Sequence, residues 1–157
     1  MKKILNIKEA IEIAQEIKKK NKSIVVAGGF FDILHLGHIK FLENAKKQGD
    51  YLFVLLEDDK KAKEKKGKER PINPQKIRAK ILSALQSVAY VITLKNMTNN
   101  GCYDKIITQI APNIIAATNP DPYIRHKNRQ AKLVQGKVAY VIRRIRNYST
   151  TQLSKLI

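Results

Sequence analysis

The sequence predicts one α/β domain, in which an open parallel sheet of about five strands is flanked by helices. Short apolar, β-branched runs recur along the chain, as in parallel strands that are buried on both faces. Helical patterns separate these runs, so successive strands are joined by right-handed crossovers. No apolar run approaches the roughly 20 residues of a membrane span, and the single cysteine, Cys102, fits a reducing compartment. We therefore expect residues 1–157 to form one soluble, cytoplasmic domain without membrane insertion.

The elements follow in order from local patterns. An amphipathic opening helix is predicted over 7–20, and Asn6 and Glu9 form a capping box at its start. The predicted strands are SIVVA (23–27), YLFVLL (51–56), VAYVI (88–92), NIIAA (113–117) and KVAYVI (137–142). The predicted helices between them are IKFLENAKK (39–47), PQKIRAKILSAL (74–85) and YDKIITQI (103–110). Ligands of such a sheet bind at the carboxyl ends of its strands, near the point where the strand order reverses.

The charge of the chain predicts an anionic ligand. The formal net charge is +18, from 31 basic and 13 acidic side chains. Nucleotides, sugar phosphates, nucleic acids and acidic membrane faces are all attracted by such a field, so charge alone does not choose among them. The low-complexity stretch EDDKKAKEKKGKER (57–70) has the pattern of a solvated, mobile loop.

The stretch GGFFDILHLGH (28–38) is the strongest candidate for a binding site. Its glycines let the backbone turn closely after a strand, and Leu36 to His38 begin a helix whose free N–H groups favour an anion. The alternatives are a pair of core histidines and a zinc site. Zinc needs three or four ligands, and the third histidine, His126, lies far along the chain. The pattern GxGxxG of dinucleotide-binding folds is absent.

Three segments resemble a known family. GGFFDILHLGHIKFLENAKKQGD (28–50) resembles the signature of the cytidylyltransferase-like nucleotidyltransferases, in which HxGH opens a helix. KGKERPINPQKIRAKILSAL (66–85) resembles bacterial heptose-1-phosphate adenylyltransferases, the family of the C-terminal half of the bifunctional heptose kinase/adenylyltransferase. NYSTTQLSKLI (147–157) matches the closing serine-threonine-threonine helix found there and in glycerol-3-phosphate cytidylyltransferases. The resemblance implies a Rossmann-like fold and transfer of a nucleoside monophosphate from a triphosphate to a phosphorylated acceptor, with release of pyrophosphate.

The resemblance also implies roles for single residues. His35 and His38 would contact the triphosphate and the transition state, with Lys66 as a third catalytic group. Nucleotide binding would involve backbone amides after the first strand, three arginines and two hydroxyls: Gly29, Phe30, Phe31, Arg70, Arg78, Arg144, Ser149 and Thr150. Ser149 is by default a helix N-cap, a role compatible with phosphate binding. Mg²⁺ would arrive on the triphosphate, and no metal site built from side chains is expected.

Two of these residues have alternative interpretations. Arg78 lies beside Ile77 and Ile81, which helical spacing predicts to face the core, so Arg78 is also compatible with an exposed helix charge. Asp32 is expected to orient the loop or to cap a turn rather than to react.

The segment TNPDPYIRHKNR (118–129) departs from the glycine-glycine-aspartate-tyrosine turn of the heptose enzymes. We expect this segment to be a loop that lines the acceptor pocket, since in an open α/β sheet the loop after the fourth strand lies across the crevice from the first. Asp121 would accept hydrogen bonds from sugar hydroxyls, while Arg125, His126 and Arg129 would meet the acceptor phosphate. The expected substrates are ATP ahead of CTP, and a sugar 1-phosphate such as heptose 1-phosphate ahead of glycerol 3-phosphate.

The sequence leaves several other functions open. Glycerol-3-phosphate cytidylyltransferases and FAD synthetase-type adenylyltransferases share HxGH, and a homologue that binds nucleotide without turnover is a further alternative. A basic nucleic-acid-binding protein belongs to a different class, but the charged clusters lack interleaved aromatic residues and no nucleic-acid-binding motif is recognisable. No specific nucleic-acid partner is therefore expected. Family members often form dimers, so a homodimer is compatible with the resemblance.

Overall fold

The computed structural model describes residues 2–144 and 149–156, which form six strands and seven helices. The strands are β1 (Ile4–Leu5), β2 (Ile24–Gly29), β3 (Tyr51–Leu56), β4 (Tyr90–Thr93), β5 (Ile114–Asn119) and β6 (Lys137–Arg143). The helices are α1 (Ile7–Lys19), α2 (Leu36–Lys46), α3 (Asp59–Lys66), α4 (Gln75–Ser83), α5 (Asn100–Ile110), α6 (Ile124–Leu133) and α7 (Thr150–Ser154). No helix in the described ranges has the length and apolar character needed to cross a membrane.

All six strands lie in one parallel sheet, in the order β1-β4-β3-β2-β5-β6. The five predicted strands are confirmed, and β1 is an additional two-residue strand that pairs with β4 through Ile4 and Val91. From β2 the chain moves outward through β3 to β4, and it then returns to the other side of β2 for β5 and β6. The strand order therefore reverses between β2 and β5, and the stretch 28–38 leaves the sheet at that point.

Helices cover both faces of the sheet, and each face has its own apolar core. One core joins α1, α5 and α6 to side chains such as Val26 and Phe53. The other joins α2 and α4 to their neighbours Val25 and Leu52. Successive side chains of a strand point to opposite faces, so a strand buried on both faces needs the nearly continuous apolar runs seen in β2 and β3. We call the two sides the α5 face and the α2 face.

The capping box predicted for the opening helix is present. The Glu9 N–H donates to Asn6 Oδ1 at 2.8 Å, and the Asn6 N–H donates to Glu9 Oε2 at 3.0 Å. These reciprocal bonds satisfy two backbone donors at the start of α1. Ala10, Ala14 and Ile17 then face the core at helical spacing.

Two segments predicted to be loops contain helices. Residues 57–70 include α3, which Asp58 caps by accepting the Lys61 N–H at 2.8 Å. Only Ala62 of α3 is buried, so the helix carries almost no apolar periodicity that a sequence pattern could reveal. In the segment 118–129, β5 continues to Asn119 and α6 begins at Ile124, so the connecting turn is only four residues long.

The last predicted strand, β6, lies at the edge of the sheet rather than inside it. Its side chains are half-buried or exposed, and Tyr140 is 57% exposed. The prediction of a buried strand is therefore wrong for this run, although the strand itself is confirmed.

Candidate active site

The two histidines of the stretch 28–38 lie together at the start of α2. His35 is the N-cap, and its Nδ1 accepts the Gly37 N–H at 3.0 Å. Because Nδ1 is an acceptor, a neutral His35 carries its proton on Nε2, which is then free to donate. The rings of His35 and His38 are stacked, with centroids 3.8 Å apart and planes 26° apart. The predicted pairing of these side chains at a helix N-terminus is confirmed.

His38 is largely surrounded by protein, and one of its two ring nitrogens has no partner among the described residues. Its Nδ1 is buried and has no hydrogen-bond partner among the described residues, and the Phe31 ring lies 5.2 Å away between centroids. Burial, together with the adjacent His35 ring, lowers the pKa of His38 to about 4. Burial also lowers the pKa of His35. Both imidazoles are therefore mainly neutral at neutral pH, and a nearby phosphate would favour their protonation.

The turn before the histidines is fixed by Phe31. Phe31 has a φ of 47° and a side chain that is only 5% exposed, so its ring folds back into the core of the α2 face. A Cβ on Gly29 would lie 2.9 Å from Phe31 Cε2, so glycine is required at position 29 for this packing. Phe31 could contact a nucleotide only through its backbone, as the sequence predicted, and that contact stays a prediction.

Asp32 holds the turn to the segment that joins α3 and α4. Its side chain accepts hydrogen bonds from Arg70 Nε at 2.8 Å, the Ile72 N–H at 2.8 Å and the Asn73 N–H at 2.9 Å. Burial opposes ionisation of Asp32, but the bonds from Asn73, Ile72 and Arg70 together outweigh it and lower its pKa. The expectation that Asp32 orients the loop is confirmed.

Arg78 does not face solvent, contrary to its interpretation as an exposed helix charge. Its side chain is fully buried, whereas Ile77 and Ile81 are 46% and 39% exposed. Nε donates to the Asn73 carbonyl at 2.9 Å, Nη1 donates to the Phe30 and Glu57 carbonyls at 2.7 and 3.0 Å, and Nη2 donates to Asp59 Oδ1 at 2.7 Å. All three nitrogens are thus occupied by protein groups. Arg78 thus fixes the backbone around Phe30, and its direct contact with a nucleotide stays a prediction.

Arg70 and Lys66, which lie near the end of α3, differ in how accessible their charged groups are to a ligand. Arg70 is only 8% exposed and uses Nε for its bond to Asp32. Lys66 is exposed at the last position of α3, with Nζ 5.7 Å from the centroid of the Phe30 ring. Lys66 is therefore in reach of the turn that precedes the histidines.

The closing helix lies against the same turn. Ser149 caps α7 by accepting the Gln152 N–H at 3.0 Å, as predicted, and the Thr150 hydroxyl donates to the Ile33 carbonyl at 3.1 Å. Arg144 follows β6, is exposed, and donates its backbone N–H to the Asn119 carbonyl at 3.2 Å. Asn147, Tyr148 and Ile157, which belong to the predicted closing motif, lie outside the described residues.

The predicted acceptor residues are largely engaged with other partners. Asp121 accepts the Tyr123 N–H at 2.8 Å with Oδ1 and the Lys127 ammonium with Oδ2, and its side chain is only 6% exposed. Arg129 donates both terminal nitrogens to Asp104, at 2.7 and 3.0 Å. Both side chains are thus engaged by protein groups in this structure, and their contacts with an acceptor stay predictions. Arg125 is exposed, in the first turn of α6, and its proposed contact stays a prediction.

Sequence reasoning missed one carboxylate at this edge of the sheet. Glu57 directly follows β3, and its backbone N–H donates to the Gly29 carbonyl at 3.0 Å. Its Oε1 and Oε2 accept the Tyr103 hydroxyl at 2.7 and 2.9 Å. Burial raises the pKa of Glu57. Its position immediately after a buried strand is the signal that could have identified it, but the charge pattern of 57–70 concealed it.

Within residues 2–144 and 149–156, no group of three or more His, Cys, Asp or Glu side chains is arranged to hold a metal ion.

Comparison with known proteins identifies the family. A model of the cytidylyltransferase-like family matches residues 26–154. The curated protein "Bifunctional protein HldE" of a Nitratiruptor species is 47% identical over 91 residues, which are 57% of this chain and 20% of that protein. The protein of the same name from Cronobacter sakazakii is 37% identical over 109 residues, 69% of this chain and 22% of that protein. The chain thus spans only about a fifth of the length of these relatives.

Two solved structures share the fold. The lipopolysaccharide core biosynthesis protein from Thermoplasma volcanium is 29% identical, with a TM-score of 0.62 over 82% of this chain and 99% of that chain. Pantoate-beta-alanine ligase from Francisella tularensis is 14% identical, with a TM-score of 0.69 over 100% of this chain and 74% of that chain, and it shows the fold alone. From the match over residues 26–154, the chain belongs to the cytidylyltransferase-like family.

Proposed function

We propose that the chain transfers the adenylyl group of ATP to the phosphate of a sugar 1-phosphate, such as D-glycero-beta-D-manno-heptose 1-phosphate. The observation that carries the nucleotide site is the stacked pair of neutral histidines at the N-terminus of α2. His35 presents a free Nε2–H there, and the first backbone N–H groups of α2 favour an anion. The negative charge of a bound triphosphate would favour protonation of the two imidazoles.

The acceptor is proposed from the relatives. Two proteins named bifunctional protein HldE match most of this chain's length, and residues 66–85 resemble heptose-1-phosphate adenylyltransferases. One solved structure, which this chain matches over 99% of its length, is a lipopolysaccharide core biosynthesis protein. A phosphorylated sugar fits this group of relatives better than glycerol 3-phosphate does.

The proposed reaction needs no covalent enzyme intermediate. An oxygen of the acceptor phosphate attacks the α-phosphorus of ATP and forms a new P–O bond, while the bond from the α-phosphorus to the bridging oxygen breaks and pyrophosphate leaves. The acceptor phosphate is already ionised, so the attack requires no general base. Catalysis then rests on positioning two anions and on donors that stabilise charge on the equatorial and leaving oxygens.

The remaining predicted residues take supporting roles in this proposal. Lys66 would contact the β- and γ-phosphates as a point charge, and the terminal nitrogens of Arg70 would do so beside it. Arg144 and the Ser149 hydroxyl would approach from the closing segment. Mg²⁺ would be held mainly by the triphosphate oxygens, as is usual for this ion, and would neutralise charge on the leaving group.

The test is a matrix of nucleoside triphosphates against phosphorylated acceptors, read by release of pyrophosphate. We expect ATP with heptose 1-phosphate to be productive and to require Mg²⁺. If CTP with glycerol 3-phosphate, or ATP with FMN, were the only productive pair, the acceptor assignment would be wrong. ATP binding by calorimetry without pyrophosphate release from any pair would indicate a non-catalytic nucleotide-binding protein.

A further inference from the structure

The candidate site at the edge of the sheet has two sides, one toward the α2 face and one toward the α5 face. His38 packs beside Phe31, which belongs to the core of the α2 face, and Thr150 contacts the same turn. The histidine pair and the start of α7 thus lie toward the α2 face. In phosphoryl transfer the attacking and leaving oxygens are roughly in line on opposite sides of the phosphorus. The acceptor should therefore approach over the opposite side of the sheet edge, toward the α5 face.

Glu57 and Tyr103 occupy that side of the edge. The Glu57 backbone is bonded to Gly29, the last residue of β2, so the side chain leaves the sheet beside the candidate nucleotide site. Tyr103 lies on α5 and packs against the core of the α5 face. The Tyr103 hydroxyl donates to both oxygens of Glu57, which fixes the plane of the carboxylate. Lys61 Nζ lies 5.7 Å from the centroid of the Tyr103 ring and holds that ring from the side of α3.

Glu57 retains hydrogen-bonding capacity that its neighbours have lost. Asp32 accepts three donors, and Asp58 accepts the Lys61 and Asn96 N–H groups with its two oxygens. Both oxygens of Asp121 already accept hydrogen bonds, one from the Tyr123 N–H and one from the Lys127 ammonium. In contrast, the two oxygens of Glu57 share one hydroxyl, and no cation within the described ranges forms a salt bridge with this carboxylate. An ionised carboxylate offers about four lone-pair positions, so most remain available.

We propose that Glu57, oriented by Tyr103, is the specificity-determining residue that accepts hydrogen bonds from the sugar hydroxyls of the acceptor; this inference rests on the proposed function. Sugar hydroxyls are good donors to a carboxylate, and each such charge-assisted bond is stronger than a neutral one. The negative charge also disfavours acceptors that carry a second anionic group at this position. Glu57 takes the role that the sequence assigned to Asp121.

The first experiment measures how three variants use the two substrates. Glu57→Gln keeps the size of the side chain but replaces one acceptor oxygen with a donor, and Tyr103→Phe removes only the hydroxyl that orients the carboxylate. Glu12→Gln, an exposed change on α1, is the matched control. We expect Glu57→Gln to raise the KM for heptose 1-phosphate about tenfold or more, as loss of a hydrogen bond to a charged group does. The dissociation constant for ATP should change less than about twofold, and Tyr103→Phe should give a smaller rise in the acceptor KM.

The second experiment tests the contact itself with deoxy analogues of the sugar 1-phosphate. For the wild-type protein, removal of the hydroxyl that donates to Glu57 should lower kcat/KM about tenfold. In Glu57→Ala the same removal should cost almost nothing, because both changes remove the same interaction and their effects are not additive. This readout does not depend on small changes in stability, since both acceptors are compared on the same variant.

The outcomes separate the inference from the proposed function. An active wild-type protein whose Glu57 variants keep the acceptor KM and the analogue ratios unchanged overturns the inference alone. Loss of ATP binding in Glu57→Gln also overturns it, because the side chain would then serve the nucleotide. A wild-type protein that binds ATP but uses no sugar phosphate overturns the proposed function instead.

Discussion

His38 is the residue whose chemistry departs most from that of an ordinary surface histidine. A buried polar atom without a partner costs stability, and Nδ1 of His38 is such an atom. Such a cost is typical of functional sites, where side chains with shifted pKa values cluster. His35 also stacks on His38, so the two imidazoles lie together at the start of α2.

Substitution of either histidine should reduce turnover far more than it reduces stability, although His35→Ala also removes the N-cap of α2. We expect His35→Ala and His38→Asn each to lower kcat by about a hundredfold or more, as loss of a donor to the transition state does. Lys40→Ala, an exposed change on the same helix, should stay within about twofold of the wild-type kcat. The measurements are steady-state pyrophosphate release and thermal unfolding. Variants with a lowered Tm but the wild-type kcat would show that the pair is part of the core.

The pKa of His38 gives the protein a defined pH dependence. This pKa is about 4 in the folded chain, whereas an unperturbed histidine has a pKa of 6.5, so between these values the unfolded chain binds more protons. Stability should therefore fall as the pH is lowered from 6.5 toward 4. Urea unfolding across this window should show a shallower slope for His38→Asn than for the wild-type protein. Equal slopes would mean that His38 titrates normally in the folded state.

Single residues were predicted well where local spacing determined their position. The HLGH spacing places both histidines on the first turn of a helix, and Ser149 caps α7 as its type suggests. Arg78 was misplaced because a helical pattern assigns arginine to the solvent side, whereas here buried carbonyls and Asp59 satisfy its guanidinium. Such a network depends on contacts between distant segments, which one-dimensional periodicity does not contain.

At the scale of elements, α3 and α4 are tied to the turn after β2 by one buried network. Asp32 binds the chain around Arg70 and Asn73, and Arg78 binds Phe30, Glu57 and Asp59. The network lets short elements with few apolar contacts keep a fixed position beside the site. Sequence patterns missed α3 because its stabilisation comes from the Asp58 cap and this network rather than from an apolar face.

Removal of Arg78 should destabilise the whole domain. Arg78→Met keeps most of the buried volume but leaves three carbonyls and Asp59 without their donor. The Asp59 side chain is 41% exposed and can be rehydrated, so the loss comes mainly from the hydrogen bonds of the buried guanidinium, at about 2 kcal/mol or more. Urea unfolding should show this loss, while Lys80→Met on the exposed side of α4 should stay within about 0.5 kcal/mol of the wild-type protein. A stable Arg78→Met protein with weakened ATP binding would favour the direct nucleotide contact after all.

The end of α3 provides a test of the proposed phosphate contact. Lys66 and Lys65 are both exposed, but Lys66 Nζ lies near the Phe30 ring. Lys66→Ala should raise the KM for ATP by roughly threefold to tenfold, since a lysine-phosphate bond is charge-assisted. Lys65→Ala should leave that KM nearly unchanged. Equal rises of the KM for ATP in both variants would indicate that the overall positive charge of α3 attracts ATP, without a specific contact from Lys66.

For the whole molecule, the sequence predicted a parallel sheet, but it did not predict every strand or the position of each strand in the sheet. Apolar runs of four to six residues separated by helices imply a parallel sheet, and five of six strands followed from them. The edge position of β6 and the two-residue β1 did not follow, because edge and central strands share an apolar composition. The site is predictable to the extent that it lies at the reversal between β2 and β5. The partners that engage Asp121 and Arg129 are visible only in three dimensions.

The distribution of charge leads to a last prediction, on nucleic acid. Residues 101–157 contain two acidic side chains, Asp104 and Asp121, and each is paired, with Arg129 and Lys127 respectively. The exposed cations of α6 and β6 are therefore not neutralised locally, and the chain carries +18 in all.

Such a surface attracts any polyanion, and its affinity arises from release of counterions rather than from recognition of bases. Fluorescence anisotropy with single-stranded and duplex DNA should show weak binding that falls steeply between about 50 and 200 mM salt, without preference for sequence. Lys132→Ala together with Lys137→Ala should reduce the salt slope by about two, since each lysine would neutralise one phosphate. These changes should leave ATP turnover within about twofold, since neither residue belongs to the histidine site. Tight, sequence-selective binding at physiological salt would instead identify nucleic acid as a specific partner of this chain.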